Sequence, residues 1–132
     1  MNWKLVLVLS LFGLVMAFAT VFFIPTTFEP IFWFVIFATC AYFITKRVSR
    51  NYFLHGFCVS LVNCIWITGV HVAFYDTYIA NHPEMAAMGA NMPMADHPRL
   101  MMIATGPVFG ILSGLVLGLF AFVASKIVKK AA

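Results

Sequence analysis

Two sets of side chains in this 132-residue chain have types and spacings suited to chemistry. The first is a run of thioethers and imidazoles: His82, Met85, Met88, Met92, Met94 and His97, with Met101 and Met102 just beyond. Thioether and imidazole ligands suit Cu(I), a soft ion. Met85 and Met88 would share a face in a turn of helix, and Met92 and Met94 would present two sulfurs from an extended segment. Asp76 or Asp96 could orient an imidazole from behind. This set points to an outer-facing protein that binds or delivers copper. A plainer role fits the same residues, because Met is a flexible apolar residue suited to dipping a loop into the membrane interface.

The second set is a polar stripe in an otherwise apolar stretch. At about 100° per residue, Gly56, Ser60, Asn63, Ile67 and His71 fall within an arc of roughly 80°, with Cys64 at its edge. Polar side chains at bilayer depth face a bundle interior and bond across helices. The stripe is therefore interhelical glue, or part of a route for a solute or a proton. Only His55 and His71 can titrate within an apolar run, which leaves a proton route few stations.

Several other chemistries lack their parts. Cys40, Cys58 and Cys64 all lie in apolar runs and form no CxxC pair, so they read as small buried apolar residues rather than a redox couple. Small four-helix drug/proton antiporters have a similar length but rely on a carboxylate inside their first helix, and this chain has none there. A haem would need histidines on facing helices, yet His55 and His71 share one. Neither GxSxG nor HExxH occurs, and no phosphate-binding loop is present. The expectation is a protein that is not an enzyme and has no obligatory cofactor.

A third pattern concerns packing. Gly106, Gly110, Gly114 and Gly118 recur every fourth residue, with Ala121 extending the row. They make one smooth groove along a helix, although each costs about 1 kcal/mol of helix propensity relative to Ala. Small residues at this spacing let membrane helices cross in contact. Ser10, Gly13, Ala17 and Thr20 form a matching face in the first apolar run, which the spacing offers as the groove's partner. Association of the groove with a second copy, or with another membrane protein, is the alternative.

The elements that must position these residues are four apolar runs. They span 5–24, 31–45, 52–75 and 100–128, and the helices expected from them cover about 4–24, 28–46, 52–75 and 98–128. Hydrophobic residues make up 64% of the chain and charged residues 9%, with mean hydropathy +1.01. Soluble domains carry about 25% charged residues. The run 5–24 is long enough to span, since about 20 residues are needed. Met1–Lys4 followed by Ala17-Phe18-Ala19 also fits a cleavable leader, but apolarity continues through Ile24, so the run is expected to stay as a span.

Charge sets the orientation. Lys4, Lys46, Arg47, Arg50, Lys126, Lys129 and Lys130 alternate along the chain with Glu29, Asp76, Glu84 and Asp96, and only Arg99 departs from this order. Lys and Arg are retained on the cytoplasmic side. The fold expected is an all-α integral membrane protein: one domain, a four-helix antiparallel bundle, both termini inside. A short outer cap lies in the loop 76–99, with a helical turn or two from Pro83 stopped by Gly89, and His97-Pro98 opening the last helix. The net charge of +4 belongs to the lipid headgroups, not to nucleic acid. Short loops and minimal tails point to a bacterial inner membrane. The function expected is a non-catalytic accessory or structural component packing through the glycine groove. Copper handling by the Met/His loop and solute transport along the stripe are the alternatives.

Overall fold

The computed structural model describes residues 1–24, 27–91 and 96–128, with the side chains of Met85, Ala86 and Gly89 outside that description. The described residues form six helices: α1 (Trp3–Phe22), α2 (Glu29–Arg47), α3 (Tyr52–Ala73), α4 (Tyr75–Asn81), α5 (Pro83–Ala90) and α6 (Pro98–Ile127). Four of them, α1, α2, α3 and α6, are long and apolar enough to cross a membrane.

The local sequence explains where they start and stop. The Asn2 side chain accepts the Leu5 backbone N–H at 3.1 Å and caps α1. α2 opens with Glu29 and a proline in its first turn and closes on Lys46 and Arg47, complementing the helix dipole at both ends. Asn51 enters α3 with φ 59°, a left-handed conformation that Asn tolerates better than most residues. α6 opens at Pro98, as expected, and runs through Pro107. An internal proline removes one backbone donor, which membrane helices tolerate when neighbouring groups satisfy the freed carbonyl.

The segment 76–99 differs from the expected loop. α4 continues almost directly from α3, and α5 runs past Gly89 to Ala90. Seven residues are too few for periodicity to mark α4. It is held by tertiary contacts instead: Tyr78 is buried in a cluster with Ala17, Val21 and Val70.

α3 is the central helix, with α1 on one side and α6 on the other. The glycine groove of α6 meets α3, not the small-residue face of α1. A Cβ on Gly110 would lie 2.9 Å from Cys64, one on Gly114 2.8 Å from Phe57, and one on Gly118 2.9 Å from Phe53. Gly106 faces Thr68. The partners descend along α3 as the glycines ascend along α6. Gly56 returns the contact, since its Cβ would fall 2.7 Å from the Leu117 carbonyl oxygen and 2.9 Å from the Gly118 Cα. The face of α1 built from Ser10, Gly13 and Thr20 also turns to α3: Trp66 Nε1–H donates to Ser10 Oγ at 3.1 Å, and Asn63 lies against Gly13.

The two ends of the molecule are packed differently. At the end bearing Lys4, Arg47 and Arg50, residues from all four long helices close one core: Val6 and Leu9, Cys40, Ala41 and Ile44, Val59, and Leu117 and Ala121. At the opposite, acid-bearing end the core is Ala17, Val21, Val70 and Tyr78, backed by Leu14, Ile67, Ile79 and Met102. None of those residues comes from α2.

Candidate functional site

Where α2 is missing from the core, there is a cavity of about 650 Å³. α3 supplies its polar face through Ser60, Asn63, Thr68 and His71. α2 supplies Trp33 and Phe37, and α6 supplies Met102, Phe109 and Gly110. Glu29, Tyr75 and Met88 border it at the acid-bearing end. Met88 there, and Phe109 and Leu112 on α6, are exposed lining residues, so the cavity is reached both from that end and from the side.

The stripe expected from sequence therefore lies along a cavity wall, and its members have unequal fates. His71 Nε2 is 2.9 Å from Thr20 Oγ1. That hydroxyl donates its one proton to the Ala17 carbonyl at 3.1 Å, so His71 is the donor to Thr20. Cys64 donates its thiol proton to the Gly106 carbonyl at 2.7 Å and ties α3 to α6. These two behave as interhelical glue. Ser60 and Asn63 do not. Ser60 is 2% exposed and Asn63 3%, yet Ser60 Oγ, Asn63 Nδ2 and Asn63 Oδ1 have no hydrogen-bond partner among the described residues. Leaving a buried polar group without a partner costs about 1–3 kcal/mol. Asn63 reaches its position because Gly13 has no side chain: a Cβ there would lie 2.7 Å from Asn63 Cγ.

A stack of rings stands beside the acid-bearing end of the cavity. His71 and Tyr78 lie 4.3 Å apart between centroids, and Tyr78 and His82 lie 4.4 Å apart. His82 is 1% exposed. Its Nδ1 is 2.8 Å from the Tyr78 carbonyl and its Nε2 is 3.1 Å from the Ile24 carbonyl. With Asn81 Nδ2, which donates to the Val21 carbonyl at 2.7 Å, it fastens α4 to the end of α1. Burial, with smaller contributions from the Glu29 and Glu84 carboxylates, pushes the Tyr78 phenol up to about 12. Arg99 crosses from α6 to α3, donating to the Val72 carbonyl at 3.2 Å, and approaches Asp76 at 3.6 Å on the exposed surface.

Of the expected copper set, His82, Met88 and His97 have described side chains. His82 directs both ring nitrogens at backbone carbonyls, Met88 borders the cavity, and His97 is exposed at the start of α6. Met92, Met94 and the Met85 side chain lie outside the described residues. Among the described residues, no three of His, Cys, Asp or Glu gather as a metal-ligand group.

Sequence reasoning missed Glu29, Trp33, Phe37 and Tyr78 as lining residues. The aromatics of α2 suit lipid and the membrane interface by type, and nothing in a sequence distinguishes a Trp facing lipid from one facing a cavity. Gly13 carried a signal as part of the small face of α1, but its partner was misassigned. Comparison with known protein families, curated proteins and solved structures finds no match to this chain.

Proposed function

We propose that this is a four-span membrane protein that binds a small, largely apolar molecule in the cavity between α2, α3 and α6, without transforming it. The carrying observation is the cavity itself, largely apolar through Trp33, Phe37, Ile67 and Phe109, with the polar residues Ser60, Asn63, Thr68 and His71 of α3 along one wall. Ionisable or polar groups at membrane depth are costly and mark functional positions. A cavity of about 650 Å³ falls within the range of about 300–1,000 Å³ typical of ligand sites. In this reading the four spans form an antiparallel bundle with both termini inside, following the distribution of Lys and Arg. The acid-bearing end then faces outward, and the short connections suit a bacterial inner membrane. The glycine groove serves the function indirectly, by seating α6 on α3 so closely that the two form one cavity wall.

The test is extraction of detergent-washed protein with organic solvent, followed by mass spectrometry. A stoichiometric small molecule is expected from the wild type and not from Asn63→Leu. Identical bulk lipid from both proteins would defeat the proposal.

Transport is the second reading, favoured by the position of the stripe along the cavity. It requires the layer formed by Ile44, Val59 and Leu117 to open in turn, and it predicts solute flux in liposomes that Asn63→Leu abolishes.

A further inference from the structure

The distribution of charge around the cavity narrows the ligand, granted the binding role proposed above. Glu29, Trp33 and Phe37 recur every fourth residue along α2, and all three line the cavity. One face of that helix therefore presents a carboxylate, then an indole, then a phenyl ring. Glu29 stands in the first turn of α2, at the acid-bearing end, and is half-buried. Its carboxylate is close enough to Tyr78, another lining residue, to help hold that phenol neutral. The carboxylate thus turns to the cavity mouth, not away into the lipid head groups.

Among the described lining residues Glu29 is the one carboxylate, and no Lys or Arg accompanies it. Arg99, on the same end, is held elsewhere: Asp76 lies at 3.6 Å, the Val72 carbonyl at 3.2 Å and the centroid of the Tyr75 ring at 5.2 Å. The imidazoles are His71, which lines the cavity and donates to Thr20, and His82, which is stacked behind Tyr78 with a backbone carbonyl near each ring nitrogen. Neither carries a fixed charge. A carboxylate drawn part-way out of water costs free energy that an opposite charge offsets. A phosphate or carboxylate head would be repelled by Glu29 and would find no base on this wall. Deeper in, the walls are apolar: Phe37 of α2, Ile67 of α3, and Met102 and Phe109 of α6. They suit a hydrocarbon body, and the side opening at Phe109 and Leu112 gives such a body a path from the bilayer.

We infer that the cavity takes a hydrophobic monocation, an onium ion or amine with an apolar body, whose charge rests beside Glu29 and whose body lies against Trp33, Phe37 and Phe109. Trp33, one turn on from Glu29, adds a ring to which such a charge is attracted. A small inorganic cation fits less well. It would have to shed its water for a single carboxylate, and no group of three His, Cys, Asp or Glu gathers among the described residues. The lack of a base on the wall is how the site would reject phospholipids, whose phosphate has nothing to meet there.

The experiment is equilibrium dialysis of the full chain in phosphatidylcholine nanodiscs at pH 8, with empty nanodiscs as the blank. The probes are similar in shape and differ in charge: tetraphenylphosphonium, uncharged triphenylphosphine oxide and tetraphenylborate. The phosphonium is expected to bind saturably, near one per chain. The oxide should bind about tenfold or more weakly, the factor that one charge-assisted contact implies, and the borate no more than to the blank. Glu29→Gln should weaken the phosphonium to the level of the oxide and leave the oxide unchanged, which also shows that the variant is folded. Asp96→Asn, at an exposed acid on the same end, should bind as the wild type does and so exclude a general effect of surface charge. Equal saturable binding of phosphonium and oxide by the wild type would overturn the charge assignment while leaving a lipophile site in place. Saturable binding of none of the three would overturn that assignment and the binding role together. A phosphonium preference surviving in Glu29→Gln, or a loss of the oxide along with it, would overturn the placement of the charge at Glu29.

Discussion

At the residue scale, Asn63 and His82 show opposite ways of burying a polar group. His82 has a backbone carbonyl within reach of its ring N–H in either tautomer, whereas Asn63 has nothing among the described residues for either end of its amide. Removing an unsatisfied group in favour of an apolar one of similar shape is neutral or stabilising. In protein stripped of any bound molecule, Asn63→Leu is therefore expected to raise the thermal midpoint in detergent, by the equivalent of about 1–3 kcal/mol. A lowered midpoint would show that Asn63 is a bonded strut between helices. Tyr78 gives a prediction in pH. Its phenol is held above its ordinary value of 10, up to about 12, so the neutral form is the one that fits the folded protein. The stability this contributes is complete below pH 10 and is lost as pH rises toward 12. In a spectrophotometric titration of the four tyrosines, one phenol should ionise late, and Tyr78→Phe should remove that late step.

At the element scale, α3 and α6 approach so closely that each needs glycine from the other. The Gly56 position meets backbone, the Leu117 oxygen and the Gly118 Cα, and backbone cannot rotate aside as a side chain can. Gly56→Ala is expected to force the helices apart and cost about 1–3 kcal/mol or more. Gly69, on the same helix, has nothing within 4 Å of its would-be Cβ. Gly69→Ala should be neutral or add up to about 1 kcal/mol through helix propensity. Denaturation of both variants in one detergent checks the contrast, and equal effects would remove the claim of backbone contact. The same closeness affects the site. A wider α3–α6 crossing would break the Cys64–Gly106 bond and move one wall of the cavity.

At the scale of the whole molecule, one end is closed by all four long helices and the other is closed by α1, α3 and α4 without α2. Such a shape has a direction, and the proposed orientation sends its accessible end outward. An impermeant thiol reagent should label Asp96→Cys in intact spheroplasts, and should label Lys126→Cys only after lysis. The reverse pattern would invert the topology. The native thiols give little background here, since Cys40 is buried and Cys58 and Cys64 are half-buried within apolar helices.

The sequence alone determined the four apolar helices to within a few residues, the proline that opens α6, the four-residue glycine row, and the stripe from Ser60 to His71. Each of these is a local property, set by length, hydropathy or spacing along one helix, and needs no knowledge of a neighbour. Only the tertiary structure decided what each face meets. Small-residue faces are interchangeable as surfaces, so the glycine row of α6 and the Ser10–Thr20 face of α1 looked made for one another. In the fold α3 stands between them and takes both. The stripe likewise read as glue or as part of a solute or proton route, because hydrogen-bonding capacity is visible in a residue type and its satisfaction is not. Satisfaction depends on atoms from other helices lying within about 3 Å. α2 leaves the acid-bearing core, so part of the stripe lines a cavity, while the Ser60 hydroxyl and the Asn63 amide are sealed away without a hydrogen-bond partner among the described residues.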